Sequence, residues 1–142
     1  MVVFVDGDVP CNVEGRRRVK SWLASLAKHH KRTLGDLSIV SYSDEELLTY
    51  NRQYLEHDTY TDIITFDHTE GTTLSGDLLI SFDRVLENSE NHGVVFQEEL
   101  RRVIAHGVLH LAGFKDKTPE DAAVMRQAEN RALQMFHVEH SA

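Results

Sequence analysis

Val103-Ile104-Ala105-His106-Gly107-Val108-Leu109-His110-Leu111-Ala112-Gly113-Phe114-Lys115-Asp116 is the stretch on which the reading of this chain turns. Leu100, Val103, Ile104, Val108 and Leu111 recur at helical spacing, which predicts a buried amphipathic helix from about Val95 to Leu111. His106 and His110 are four residues apart, ~400° around an ideal helix, so both imidazoles share one face. That face is offset by ~100° from the centre of the apolar stripe, so the helix can pack with one side and present two nitrogens with the next. Gly113 offers a left-handed exit that a residue without a side chain takes cheaply. A chain turning there can bring Asp116 back to the histidines.

Two imidazoles and one carboxylate leave a fourth position open, which is how catalytic rather than structural zinc sites are built. A lone His pair at this spacing is common on ordinary helix surfaces. The apolar helix, the exit glycine and the following carboxylate together favour metal, with His106, His110 and Asp116 as the three ligands. Lys115 has no lone pair at neutral pH and cannot substitute. The spacing His-x3-His-x2-Gly-x2-Asp matches the metzincin peptidase pattern with aspartate for the third histidine. Gly107, however, stands where such a peptidase carries its glutamate base.

Residues 106–114, His-Gly-Val-Leu-His-Leu-Ala-Gly-Phe, resemble the signature of the YbeY family of metal-dependent endoribonucleases. Thr61-Asp62-Ile63-Ile64-Thr65-Phe66 resembles that family's Thr-Asp-Val-Leu-Ser-Phe strand. Asn51 and Tyr54 resemble the Asn and aromatic residue on the helix before it, and Gly76-Asp77-Leu78-Leu79-Ile80 the Gly-Asp-Ile strand after it. In order and spacing the resemblance covers nearly the whole chain. It implies hydrolysis of single-stranded RNA, with ribosomal RNA and the ribosome as partners, in small-subunit RNA maturation and ribosome quality control, with one Zn2+ per chain. No DNA partner is expected. Two positions depart from the family. Asp116 stands where relatives mostly use histidine; its carboxylate is an acceptable zinc ligand that adds negative charge. Leu55 stands where relatives tend to carry arginine, whose role is then unfilled or moved to Arg52.

The 142 residues suggest one domain, 1–142, with enough core to fold unaided. With 41% hydrophobic and 27% charged residues the chain is neither disordered nor fibrous. A single cysteine, Cys11, excludes an internal disulfide and fits a reducing compartment. No apolar run approaches the ~20 residues that span a bilayer, so no membrane is expected. Met1 to Val5 is cut short by Asp6 and is not a signal sequence, which points to the cytoplasm. The net charge of −8 opposes non-specific RNA binding, because phosphates reward a positive field. A local patch can still prevail, since charges beyond ~8 Å are largely screened at physiological salt.

In chain order, Val2 to Val5 reads as a strand, followed by a loop to Gly15. Residues 16–32 read as a helix burying Val19, Trp22, Leu23, Leu26 and Ala27, with a cationic outer face from Arg16 to Arg32. That face is an ordinary solvated surface or a docking surface for RNA or the ribosome. Gly35 breaks the chain and Leu37 to Tyr42 forms the second strand. Ser43 and Glu46 form a capping box opening a helix to about His57, with Leu47, Leu48 and Tyr54 inward. Thr61 to Phe66 and Ser75 to Phe82 are strands, antiparallel across a polar connection. Asp83 to His92 is a helix with Val85 and Leu86 inward, ended by Gly93. Thr118-Pro119 opens the last helix, whose stripe runs through Ala122, Met125, Arg126, Glu129, Ala132, Leu133 and Phe136. His137 to Ala142 are expected to fray. Glu99 lies near the histidine face but ~10 Å along the axis from His106, too far to be a ligand. Asp77 is expected to hydrogen-bond a nearby loop. His92, like the other remaining histidines, sits at an element end without an assigned role; His137 and His140 could at most bind metal opportunistically. The expectation is an α+β fold: a small mixed four-stranded sheet with about five helices and the metal helix central. The rivals to a nuclease are a zinc peptidase and a non-catalytic ribosome-associated factor with a structural metal.

Overall fold

The computed structural model describes the backbone of residues 1–140 and the side chains of residues 1–138. Among the described residues four strands and five helices follow one another: β1 (Val2–Asp6), α1 (Arg16–His29), β2 (Thr33–Tyr42), α2 (Asp44–Leu55), β3 (Ile63–Asp67), β4 (Thr73–Ser81), α3 (Phe82–His92), α4 (Phe96–Leu111) and α5 (Pro119–His140). The sheet order is β1-β2-β4-β3. β1 and β4 both run parallel to β2, whereas β3 folds back antiparallel on β4. The sheet is therefore mixed and the fold α+β, as expected.

Alternation along β4 sorts its side chains. Leu74, Leu78 and Ile80 enter the main core, where they meet Leu37 and Ile39 of β2, Trp22, Leu23 and Leu26 of α1, and Leu100, Ile104 and Val108 of α4. Leu79 points the other way and joins Leu47 of α2 and Ile64 of β3 in a small second cluster. Trp22 anchors α5: its indole N–H donates to the Ala132 carbonyl at 2.7 Å, and its ring meets Phe136 edge-on at 5.4 Å. A buried indole needs such a partner for its donor. Helix α4 thus lies central, between the sheet and α5.

Several local expectations shift. Strand β2 starts at Thr33 and passes through Gly35, with the irregularity absorbed as a register shift between Leu34 and Leu37. Ser43 Oγ does accept from the Glu46 amide at 3.2 Å, but Asp8 supplies the reciprocal bond, accepting from the Ser43 amide at 2.8 Å. Helix α2 buries Leu47, Leu48 and Asn51, while Tyr54 is 56% exposed. Its ring stacks on Tyr50 and touches the edge of Phe66 on one side only. In α3 the stripe is taken by Phe82, Val85 and Ser89, so Leu86 falls at its margin, half-exposed. Ala122 and Arg126 are exposed, because α5 packs through residues from Met125 onward at core spacing. Helix α5 is described as far as His140; residues 141–142, and the side chains of residues 139–140, on which part of the expected fraying falls, lie outside the described residues. Among the described residues no helix is long and apolar enough to cross a membrane.

Candidate metal centre

Helix α4 ends as its sequence requires. Gly113 adopts φ +103°, its amide donates to the His110 carbonyl, and the Phe114 amide donates to the Leu109 carbonyl, both at 3.0 Å. This pair of bonds is a Schellman ending, and it reverses the chain direction. Phe114 is pinned edge-on against His30 at 5.1 Å, which holds the returning segment. Asp116 consequently comes back over α4. Its Oδ2 lies 3.1 Å from His106 Nε2 and 3.5 Å from His110 Nε2. The two rings sit one turn apart, centroids 4.8 Å apart and nearly perpendicular. One donor atom from each of His106, His110 and Asp116 falls within 4.8 Å of the others. The three residues read from sequence are therefore brought together.

A fourth residue controls the first of them. Glu129 on α5 is 6% exposed, and its Oε2 lies 2.6 Å from His106 Nδ1. Its other oxygen accepts from Arg102 at 3.1 Å, and Arg102 also donates to Asn130 Oδ1 at 2.9 Å. A carboxylate at Nδ1 favours a proton there, which would leave the Nε2 lone pair to a cation bound between His106 and Asp116. Burial works against a charged imidazole at His106, but the Glu129 hydrogen bond and charge, with Asp116 and Asp62 nearby, outweigh it and raise the ring's pKa. For Glu129 burial alone would raise the pKa; the bonds from His106 and Arg102 reverse that and hold it below the usual carboxylate value. The donor set passes a chemical test for a divalent cation. Two nitrogen lone pairs and a carboxylate converge, one imidazole is oriented by a carboxylate behind it, and the group remains partly open to solvent.

Two cavities flank the three donors and share Asp62, His106 and Asp116. One, about 350 Å³, lies among α3, α4 and α5; the other, about 450 Å³, runs beside β3 and includes Leu55, Thr65, His110 and Lys117. Asp62, just ahead of β3, is half-buried in this groove; burial raises its carboxyl pKa, with His106 pulling the other way. The sequence signalled Asp62 only as part of a strand motif. Glu129 was visible as a charged residue within an apolar stripe, a position that demands a buried partner, but the partner could not be named.

The remaining expectations resolve individually. Glu99 stays off the three donors, as its axial distance required; it is buried and bonds His92 Nδ1 at 3.1 Å. Asp77 bonds His68 Nε2 at 3.0 Å in the connection after β3. Arg52 is bonded to the exposed Asp58 and lines neither cavity, so it does not take over from Leu55. His137 pairs with Glu98. Gly107 packs flat on the sheet: a Cβ there would come 2.7 Å from Leu78 Cδ2 and 2.9 Å from Ile63 Cδ1. A side chain at this position, facing the strands, requires the tips of Leu78 and Ile63 to shift.

A family model described as Endoribonuclease YbeY matches residues 8–137. The chain is 48% identical to an Endoribonuclease YbeY of Bacteroides thetaiotaomicron over 120 residues, covering 84% of this chain and 88% of that one. It is 45% identical to an Endoribonuclease YbeY of Parabacteroides distasonis over 132 residues, 93% of each chain. Its fold is similar to the solution structure of TM1509 from Thermotoga maritima, with TM-score 0.67 and 23% identity, covering 98% of this chain and 91% of that one. With the family model matched over residues 8–137 and these relatives 45–48% identical over most of both chains, the chain belongs to the YbeY family.

Proposed function

We propose that this protein is a metal-dependent endoribonuclease of one domain, hydrolysing phosphodiesters in single-stranded RNA. The observation that carries the reading is the convergence of His106, His110 and Asp116 at the meeting point of two cavities, in a chain whose relatives are named endoribonucleases. His106, His110 and the Asp116 carboxylate would hold the ion, read as zinc. When bound it supplies a Lewis acid that lowers the pKa of water toward ~7 and polarises a phosphoryl oxygen. The chain's own residues supply orientation. Glu129 keeps the His106 ring in the tautomer that presents Nε2. The Schellman turn at Gly113 holds Asp116 over the histidines. Lys117 lines the cavity beside β3 and brings a cation to a path that phosphates must follow. The overall charge of −8 then favours selective over general RNA contact.

The substrate is ribosomal RNA, chiefly in small-subunit maturation, with the ribosome as partner and ribosome quality control as a further role. The setting is the cytoplasm, in keeping with one buried, unpaired Cys11. Exposure of the ligand side chains, from 22% to 38%, favours a catalytic over a purely structural metal. The peptidase reading has the spacing in its favour but lacks the base, and Gly107, where that base would stand, packs against Leu78 and Ile63.

Purified protein should contain about one zinc per chain, sharply reduced by Asp116→Ala. It should cleave a defined single-stranded RNA in a chelator-sensitive way and leave casein intact. Full zinc occupancy in the mutant would remove Asp116 from the site. Casein digestion without RNA cleavage would overturn the nuclease reading.

A further inference from the structure

The outer edge of β3 is an unpaired edge of the sheet, and it lies beside the metal centre. Among the described residues β3 ends the strand order and pairs with β4 alone. The register fixes which of its backbone groups stay free. The Ser81 amide donates to the Asp62 carbonyl at 2.9 Å, and the His68 amide to the Ser75 carbonyl at 2.8 Å. Bonded residues alternate along an antiparallel pair, so Ile64 and Phe66 also bond β4, while Ile63, Thr65 and Asp67 turn their N–H and C=O groups outward. The cavity of about 450 Å³ lies against that edge. Its wall takes in Thr61, Asp62, Ile63, Ile64 and Thr65 in succession, whereas the side chains of one sheet face would supply only alternate residues. The Ile64 side chain packs on the far face with Leu47 and Leu79, so Ile64 meets the cavity through its backbone. His110, Asp116 and Lys117 line the same cavity.

We infer that this edge reads a nucleobase: the N–H and C=O of Thr65 bond the Watson–Crick edge of one base in the RNA strand that crosses the metal centre. The inference rests on the endoribonuclease reading and names what in the chain selects unpaired RNA. A base within a duplex has that edge occupied by its partner, whereas an unpaired base offers neighbouring donors and acceptors along it. The N–H and C=O of one extended residue point to the same side, so Thr65 presents one donor and one acceptor to the cavity. Lys117 on the same wall supplies a cation for the adjoining phosphates. A free sheet edge is also a template for a second peptide strand, but the groups at Ile63 argue against one. The Ile63 amide bonds the Asp62 carboxyl, and the Ile63 carbonyl accepts from the Thr61 hydroxyl at 3.4 Å. A strand laid along β3 would need those groups as well as the pair at Thr65; a single base does not.

The test compares zinc-loaded wild type and Thr65→Pro on a mixed-sequence single-stranded RNA and on the same strand methylated at N1 of its purines and N3 of its pyrimidines. Methylation blocks the Watson–Crick edge and leaves the sugar–phosphate chain unaltered. Wild type should show kcat/KM about tenfold lower on the methylated strand, the loss expected from one or two hydrogen bonds. Proline at position 65 removes the outward N–H and no bond to β4, and an edge strand accepts proline at such a position. Thr65→Pro should keep its zinc, lose about tenfold in kcat/KM on the unmodified strand, and lose nothing further on the methylated one. Amide hydrogen exchange gives a readout that needs neither cleavage nor the proline variant. In metal-free wild type, which leaves the RNA intact, the Thr65 amide should exchange fast and those of Ile64 and Phe66 slowly. Unmodified RNA should slow Thr65 severalfold, and methylated RNA should not. Equal cleavage of the two strands by wild type, slow exchange at Thr65 in the free protein, or a methylation penalty that persists in folded Thr65→Pro would each overturn the inference. Slowing of Thr65 by a casein peptide and not by RNA would give the edge to a peptide strand and overturn it too. Wild type that cleaves neither RNA would overturn the endoribonuclease reading itself, and this inference with it.

Discussion

Replacing Glu129 by alanine tests how the metal centre is held. The carboxylate is 6% exposed and bonds two cationic or basic groups, His106 at 2.6 Å and Arg102 at 3.1 Å. Removing one member of a buried charged pair costs about 3–5 kcal/mol, because the partner is left without compensation. Here the penalty is softened. His106 and Arg102 each retain 22% exposure of their side chains, and Arg102 keeps its bond to Asn130. The desolvation of Glu129 itself is also relieved. The expected loss is therefore about 3 kcal/mol, or roughly 10 °C in Tm for a chain of this size. Glu129→Gln keeps the shape but cannot accept from both partners as an anion, and should cost about half as much. The same change frees the His106 ring to rotate and exchange tautomers, so zinc affinity should fall about 10–100-fold. Melting of metal-free protein measures the first effect; zinc titration against a competing chelator measures the second. A Glu129→Ala protein that melts within about 2 °C of wild type and binds zinc equally well would refute the reasoning. Lost stability with unchanged zinc affinity would reduce Glu129 to a structural residue.

Gly107→Glu should fail to accumulate as folded protein, because the carboxylate would be driven between Leu78 and Ile63; soluble protein with casein-degrading activity would show that the peptidase geometry is accessible after all. Burial raises the Cys11 thiol pKa, against smaller opposing effects from Ser41 and Arg16, so native protein should react slowly with iodoacetamide at neutral pH and rapidly once denatured. Equal labelling rates in the two states would contradict that burial. His30 has its pKa lowered by burial and by the cations His29, Arg131 and Arg32. Its neutral form therefore favours the folded state at pH above the ordinary histidine value of ~6.5, and that contribution is lost as pH falls toward the lowered folded value. Denaturant midpoints should decline more steeply below pH ~6.5 for wild type than for His30→Gln, and parallel curves would exclude the effect.

The aromatic residues of α2 and the margins of α3 show where periodicity stops informing. Tyr54 and Leu86 lie at spacings compatible with a buried face, yet both are about half-exposed. Helical period identifies an apolar stripe but not how far a neighbouring element extends over it. Gly35 likewise reads as a break, while the strand runs through it with a bulge, because pairing to β4 on that side holds the backbone extended.

What the sequence determined by itself was local. His106, His110, Gly113 and Asp116 lie within eleven consecutive residues, so helical geometry and one glycine-permitted reversal suffice to bring the three donors together. What tertiary structure decided came from far along the chain. Glu129 arrives behind His106 on α5, Asp62 enters the groove ahead of β3, and His92 meets Glu99 only because α3 docks on α4. Each of these contacts depends on which helices pack against α4 and at what register. Side-chain period in one element carries no record of the partner element, and that choice is made by the burial of the whole core.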